Sequence, residues 1–287
     1  MNVPTPHSIF LTGATGLLGR GVLARLLAAD PNTRVMALVR DADRWSAVSR
    51  SIPGIERVMP IGGDLRGEGL GLNAWARQQV RRSATAIIHL AADTKFSRPL
   101  DEARAVNTAG TMRVLELASE CAARVRFAHV STAFVAGKRT GAIGEGDSTH
   151  DAGWANAYER SKFEAEALVR VHADDWTILR SSTVVCDDAS GVVNQFNAVH
   201  RALQLYRNGL AAMMPGVPGS AVDAVTTTYV ADAIARLAFH EDLHRRSVHL
   251  CAGTGALPLD ELLEITWERW ASLDAAWRRR GIPRPAL

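Results

Sequence analysis

A chain of 287 residues with 47% apolar side chains is long enough to bury one sizeable α/β core. Its formal charge of +3 comes from arginines spread along the chain, with no basic cluster interleaved with aromatics, so composition gives no nucleic-acid-binding footprint. Cys121, Cys186 and Cys251 are isolated, odd in number and without metal spacing, which points to buried thiols in a reducing compartment rather than a disulfide framework or a metal knot.

No stretch approaches ~18 uninterrupted apolar residues, and Met1-Asn2-Val3-Pro4-Thr5-Pro6 lacks a signal-peptide core. The expectation is a cytoplasmic chain without a transmembrane segment. No internal repeat, low-complexity stretch or long linker divides it.

Along the chain, Ser8-Ile9-Phe10-Leu11 predicts a short buried strand, followed by Thr12-Gly13-Ala14-Thr15-Gly16-Leu17-Leu18-Gly19-Arg20 and a helical apolar pattern through Leu27. A strand, a glycine turn and a helix in this order form a phosphate cradle. Gly13 permits the tight turn, Gly16 lets the backbone approach a pyrophosphate, and Gly19 allows close packing, while the helix N-terminus offers amides and a positive dipole end. Residues Gly13, Ala14, Thr15, Gly16, Leu17, Leu18 and Gly19 are therefore candidate cofactor contacts.

The second strand, 34–39, ends at Arg40, where such folds read the 2′ position of the adenosine ribose. An arginine there accommodates the 2′-phosphate of NADP, whereas an acid favours the free hydroxyl of NAD, and Asp41 follows at once. NADP is the expected cofactor, with NAD the alternative. The third strand, 58–61, leads to Asp64-Leu65, whose carboxylate can meet the adenine amino group or cap a following helix.

Further on, Phe127-Ala128-His129-Val130 is an apolar strand ending near two hydroxyls, Ser131 and Thr132, at the end of the strand where open α/β sheets place ligands. Tyr158 and Lys162 stand four apart, about one helical turn, in a chain with only three tyrosines. A phenol is a weak acid, and a neighbouring ammonium is the natural group to tune it. Another strand is expected at 176–179.

Beyond it the order becomes irregular. Helices are expected over 194–207, 229–239 and 259–280. Gln195, Asn197 and His200 are polar candidates for a pocket, and Met213-Met214-Pro215-Gly216-Val217-Pro218-Gly219 is a turn-rich loop that could lie over a substrate. The last helix carries Leu263, Trp267, Trp270, Leu273 and Trp277 as one stripe, read first as core packing. His240 and His244 invite a metal reading, but their place at a helix end explains them better, so no metal site is assigned.

Taken in order, several segments resemble the extended short-chain dehydrogenase/reductases, and within them the branch of thioester reductases and fatty acyl-CoA reductases. They are Thr12-Gly13-x-x-Gly16-x-x-Gly19, Gly63-Asp64-Leu65, His89-Leu90-Ala91-Ala92-Asp93-Thr94, Val106-Asn107-Thr108-Ala109-Gly110-Thr111, His129-Val130-Ser131-Thr132-Ala133-Phe134-Val135-Ala136-Gly137, Tyr158-Glu159-Arg160-Ser161-Lys162-Phe163-Glu164-Ala165-Glu166, and Ile178-Leu179-Arg180. Three positions depart from the family pattern: Ala136 in place of a frequent Tyr, Ser181 in place of the usual Pro after Arg180, and Cys186 in place of a frequent glycine.

The resemblance implies a doubly wound Rossmann-type parallel sheet. It implies one unit over 1–287, with 1–185 mainly the NAD(P)-binding core and 186–287 mainly a small, interleaved substrate-binding portion. Thr132, with Ser131 as fallback, becomes the hydroxyl member of a Thr-Tyr-Lys triad with Tyr158 and Lys162. Asn107 resembles the structural asparagine that holds a helix and a water near the lysine, with a helix cap as the alternative. Ala91 and Ala92 are small, as needed beside a cofactor ribose, and Tyr158 and Lys162 also touch the cofactor.

The implied activity is NADPH-dependent reduction of an acyl thioester, presented by CoA or by an acyl or peptidyl carrier protein, to the aldehyde and, with a second hydride, the alcohol. A nucleotide-sugar epimerase or dehydratase, a general carbonyl reductase and a non-catalytic NADP sensor are the alternatives. Against the dehydratase, Thr132 is followed by Ala133-Phe134 rather than by acids.

Overall fold

The structure is a computed structural model and describes residues 8–187, 189–193, 195–211 and 216–284. In chain order the elements open with β1 (Ser8–Thr12), α1 (Leu17–Ala29), β2 (Arg34–Val39), α2 (Ala42–Ser49), β3 (Val58–Gly62), α3 (Ala74–Ser83), β4 (Ala86–His89), α4 (Leu100–Asn107) and α5 (Ala109–Ser119). They continue with β5 (Arg126–Thr132), α6 (Ala157–His172), β6 (Asp175–Ser181), β7 (Thr183–Val184), α7 (Ala198–Arg207), β8 (Ala221–Val222), β9 (Ala224–Val225) and α8 (Thr227–Leu237). The last are β10 (Arg246–Leu250), β11 (Leu257–Pro258), α9 (Leu259–Leu273) and α10 (Ala275–Arg279).

Seven strands form one sheet in the order β10-β6-β5-β4-β1-β2-β3, and every neighbouring pair is parallel. Strands of such a sheet are covered on both faces, which explains their near-continuous apolar runs. Ile9, Phe10 and Leu11 are completely buried, as are Ile87 and Ile88. The direction of strand addition reverses between β1 and β4, and the carboxyl ends of those strands are where ligands bind in open α/β sheets. The fold is the doubly wound Rossmann type that the sequence predicts.

The chain divides into two compact units. One takes the described residues of Met1–Ser181 together with Thr228–Leu250, and the other those of Ser182–Thr227 and Cys251–Leu287. In the first, α8 returns to pack against α1. Arg25 forms an ion pair with Asp232, and a β-carbon at Gly21 would lie 2.9 Å from the Ala231 methyl.

In the second unit, β7 pairs with β9 and β8 with β11, and Tyr206, Trp267, Trp270 and Trp277 gather ring against ring. The Trp277 indole N–H donates to the Arg207 carbonyl at 2.7 Å.

Two helices differ from expectation. The stripe over 259–280 is not one helix, because the Asp274 carboxylate accepts the Trp277 amide at 2.9 Å and caps a new helix, ending α9 at Leu273. Leu273 is consequently 68% exposed, while Trp277 is 3% exposed.

The helix expected over 194–207 begins at Ala198. Asn197 and His200 close its first turn reciprocally, the Asn197 Oδ1 accepting the His200 amide at 3.2 Å and the His200 Nδ1 accepting the Asn197 amide at 3.2 Å. These two side chains are thus committed to a cap. Asn194, Met213, Met214 and Pro215 lie outside the described residues. His240 and His244 also have local roles, one accepting the Asp242 amide and the other pairing with Asp175 at 2.7 Å.

Candidate active site

The glycine loop is shaped by steric necessity at two positions. Gly13 has φ +79°, and a β-carbon there would lie 2.7 Å from the Ala91 amide nitrogen, so the loop is pressed against the segment leaving β4. At Gly19 a β-carbon would lie 2.0 Å from the Gly13 carbonyl oxygen, so α1 can sit on the loop only without a side chain there. Gly16 is the N-cap of α1 and supplies no side-chain cap, which leaves the first-turn amides for an anion.

Thr12 ties the two strand ends together. Its hydroxyl donates to His89 Nδ1 at 2.7 Å and accepts the Leu90 and Ala91 amides, each at 3.2 Å.

Beyond β2 and β3 an open cavity of about 540 Å³ is lined by Val39, Arg40, Trp45, Ser46, Gly62, Gly63 and Asp64, among others. Its walls combine an arginine, an aromatic ring and bare glycine backbone. Asp41 does not line it, and its carboxylate caps α2 by accepting the Arg44 amide at 2.9 Å. Asp64 lines it and accepts the Arg66 amide at 3.0 Å, so it shapes a turn rather than capping a helix. Leu65 packs its side chain in the core, and its carbonyl accepts from Arg113 at 2.9 Å. Trp45 and Ser46 escaped the sequence reading; an aromatic five residues past Arg40, in a helix with no buried residue, is the signal that could have found the ring.

On the other side of the switch point stand Thr132, Tyr158 and Lys162. The helix carrying the last two is started firmly: Asn156 caps it by accepting the Glu159 amide at 3.0 Å, and the Glu159 carboxylate reaches back to the Ala155 amide at 2.8 Å. Tyr158, Ser161, Lys162, Ala165, Glu166 and Val169 form its buried stripe, at the i, i+3, i+4 spacing of one helix face.

Asn107 joins this helix to the segment after β4. Its amide accepts the Asp93 N–H at 2.8 Å, donates to the Asp93 carbonyl at 2.9 Å, and donates to Ser161 Oγ at 3.0 Å. It is the last residue of α4, and these contacts make it a clamp between Asp93 and α6.

Thr132 ends β5, 3% exposed; its hydroxyl donates to the Ser181 carbonyl at 3.2 Å and accepts the Phe134 amide at 3.2 Å. Ser131 is buried at 3% exposure, and its hydroxyl has no hydrogen-bond partner among the described residues.

Burial pushes the Tyr158 phenol up to about 12, with the Thr132 hydroxyl pulling the other way. Burial lowers the Lys162 ammonium to about 8 against the opposing pull of Glu166. Lys162 Nζ donates to the Val130 carbonyl at 2.8 Å and meets His129 Nε2 at 3.1 Å. The lysine is therefore held by β5. Phe96 stacks on Tyr158 with ring centroids 5.6 Å apart, and Phe134 meets Phe96 edge-on at 5.9 Å. Both phenylalanines are more than one-third exposed, at 43% and 37%, so this side of the phenol has an apolar rim.

A Rossmann sheet with a glycine loop at its first turn, an arginine after β2 and a Tyr-Lys helix after β5 defines an NAD(P)-binding extended short-chain dehydrogenase/reductase. Residues 11–234 match the family model described as "Male sterility protein", and the chain belongs to that NAD-binding family.

Among curated relatives, a probable fatty acyl-CoA reductase 5 of Arabidopsis thaliana is 28% identical over 163 residues, covering 48% of this chain and 33% of the relative. A D-lysergyl-peptide-synthetase subunit 3 of Claviceps purpurea is 31% identical over 213 residues, covering 66% of this chain and 12% of the relative. This chain therefore spans a third or less of the length of these two relatives. Among solved structures, the terminal R domain from the myxalamid PKS-NRPS biosynthetic pathway superposes with a TM-score of 0.80 at 25% identity, covering 95% of this chain and 77% of that one. Among the described residues no helix is long and apolar enough to cross a membrane.

Proposed function

We propose that this chain reduces an acyl thioester to the aldehyde with NADPH. What supports the reading is the contact of the Tyr158 phenol with the Thr132 hydroxyl and the bond of Lys162 to the Val130 carbonyl, near the end of β5, in a family whose relatives include a fatty acyl-CoA reductase and a peptide-synthetase subunit.

A bound reduced nicotinamide supplies the hydride to the thioester carbonyl carbon. The oxygen that gains charge is met by the Thr132 and Tyr158 hydroxyls, and Tyr158 gives it a proton. Thr132 must exchange its bond to the Ser181 carbonyl for one to substrate, a rotation of one hydroxyl. Lys162 holds positive charge near the phenol and the cofactor ribose, which favours the phenolate left behind. The resulting thiohemiacetal loses its thiol to give the aldehyde. Phe96 and Phe134 suit the apolar start of an acyl chain, and the unit of Ser182–Thr227 and Cys251–Leu287 is assigned to substrate binding, with CoA or a carrier protein presenting the thioester.

NADP is the proposed cofactor. Arg40 lines the cavity where a 2′-phosphate would sit, and Asp41, the residue that argues for NAD, has its carboxylate engaged by the cap of α2. Arg40→Ala should weaken NADPH binding by about 10- to 100-fold, the range for one charge-assisted contact, and leave NADH binding nearly unchanged. Titration of both nucleotides by tryptophan fluorescence checks this, and equal losses would remove the assignment.

Trapping the product tests the reaction itself. With NADPH, a long-chain acyl-CoA and an arylhydrazine trap, the hydrazone of the aldehyde should accumulate, and only when NADPH is present. Reduction of free aldehydes without attack on any thioester would instead identify a carbonyl reductase.

A further inference from the structure

Two imidazoles lie side by side between the sheet and its helices, His89 and His129, with ring centroids 5.3 Å apart. Both are buried, and burial holds both neutral, His89 at about 3 and His129 well below the ordinary range, with Lys162 adding to the effect. Their hydrogen bonding differs.

Thr111 Oγ1 donates to the Asn107 carbonyl at 2.6 Å and so can only accept from His89 Nε2, at 2.9 Å. The His89 proton therefore sits on Nε2, and Nδ1 accepts from Thr12. Every polar atom of that ring is used.

At His129, Nε2 faces Lys162 Nζ at 3.1 Å, and among the described residues Nδ1 has no hydrogen-bond partner in a side chain that is 0% exposed. An ammonium has donors only, so while Lys162 is charged, Nε2 must offer its lone pair. The single proton of the neutral ring is then on Nδ1, where nothing accepts it. The other tautomer would set two donors against each other unless Lys162 had lost its proton. The protonation of Lys162 and the tautomer of His129 are thus linked. A buried donor left without an acceptor is unfavourable, and it is a consequence of giving the ammonium its second acceptor besides the Val130 carbonyl.

We propose that His129 is a positioning residue for Lys162: its Nε2 lone pair and the Val130 carbonyl together aim the ammonium, and the ring changes tautomer when the ammonium is deprotonated. The other charged or titratable groups around the pair are His89 of β4, Tyr158, Glu166 and Arg170 of α6, and Arg180 of β6 acting through Glu166. The inference rests on the reading that Lys162 serves the reduction.

The test is a two-bond proton–nitrogen correlation spectrum of the protein labelled with nitrogen-15 histidine, the His129 signals being identified by their loss in His129→Gln. Near pH 6.5 His129 should appear as the neutral Nδ1–H tautomer, with His89 as Nε2–H. As pH rises through about 8, where Lys162 loses its proton, His129 should convert to Nε2–H. A His129 that is Nε2–H or doubly protonated near pH 6.5, or that keeps one tautomer through the titration, overturns the proposal.

Kinetics give a second readout. His129→Met removes the acceptor that favours the charged lysine, so the alkaline limb of kcat should move down by about one pH unit, and His129→Gln, whose amide oxygen can reach Nζ, should restore it. A His129→Met enzyme with the wild-type limb contradicts the proposal. If His129→Met does not fold, the tautomer titration of the wild-type protein decides alone. Absence of thioester turnover beside the expected tautomer change would remove the functional reading and leave the linkage standing.

Discussion

Tyr158→Phe is expected to lower thioester turnover by about 10³- to 10⁴-fold, the upper part of the range for loss of a positioned general acid. The ring itself should stay in place. Tyr158 is 9% exposed, stacks on Phe96 and belongs to the buried stripe of a helix whose start is fixed by Asn156 and Glu159, and none of these contacts needs the hydroxyl. NADPH affinity and thermal stability should therefore change little, and the loss should fall on kcat rather than KM, because the proton is transferred only as the oxyanion forms. Stopped-flow turnover beside fluorescence titration of NADPH separates the two quantities. Retained turnover would sink the proton-donor role, and a parallel collapse of cofactor binding would make Tyr158 a structural residue.

The second large effect concerns stability. Arg180, 1% exposed, donates to both oxygens of Glu166, from Nε at 3.0 Å and from the terminal nitrogen at 2.8 Å, and also to the Asp147 carbonyl at 3.0 Å. Glu166 is 0% exposed and receives Arg170 as well, at 2.9 Å. Burial alone would push the Glu166 carboxyl up, but the bonds from Arg180 and its charge outweigh that and hold it below the ordinary range. Arg180→Met would leave the buried carboxylate with the bond from Arg170 and would remove the Arg180 donor from the Asp147 carbonyl.

The expected cost is about 3–5 kcal/mol, or roughly 10 °C in the melting temperature. Removing both members, as Glu166→Met with Arg180→Met, should cost less than removing the arginine alone, since no buried carboxylate is then stranded and Arg170, 20% exposed, keeps its bond to Ser247.

The sign of the pH dependence follows. A carboxyl lowered by folding contributes stability that is present above its unfolded pKa and is lost as pH falls through the folded one. In Arg180→Met the Glu166 carboxyl moves up, so its contribution no longer falls on acidification, and the melting temperatures of the variant and the wild type should converge as pH falls. Differential scanning calorimetry between pH 4 and 7 checks the order of the three proteins, and an unchanged melting temperature for Arg180→Met would show that the network contributes nothing to stability.

What the sequence made legible is what local rules determine. The strand, glycine loop and helix of 8–29 are visible because Gly13, Gly16 and Gly19 serve one turn and its close approach to the following helix within a few residues. Tyr158 and Lys162 are visible because helical spacing puts them on one face. Most strands of the parallel sheet are visible as apolar runs; β10, with Arg246, Ser247 and His249, is not.

The rest depends on partners far along the chain. Arg180 reads as the end of a strand, yet its partner is Glu166 on the preceding helix and its other bonds reach the loop at Glu145 and Asp147. His129 reads as a core residue in an apolar strand, and only the packing of α6 on β5 brings Lys162 to it across 33 positions. Phe96 sits in a segment with no periodicity and becomes notable once it lies on Tyr158. Asn197 and His200 show the opposite failure. A local cap consumes both, and a search for pocket-facing polar residues mistakes the cap for function. Asp274 likewise breaks an apolar stripe whose period continues unbroken through it, because a capping carboxylate outweighs helix continuity at one position.

The most direct test of the central claim follows NADPH oxidation and free thiol together, in one reaction of the purified chain with acyl-CoA or an acyl-carrier thioester. If this chain is a thioester reductase, thiol appears only when NADPH and thioester are both present, one thiol for each one or two NADPH consumed, and neither signal appears with Tyr158→Phe. NADPH oxidation without thiol release, or thiol release without NADPH oxidation, would contradict it.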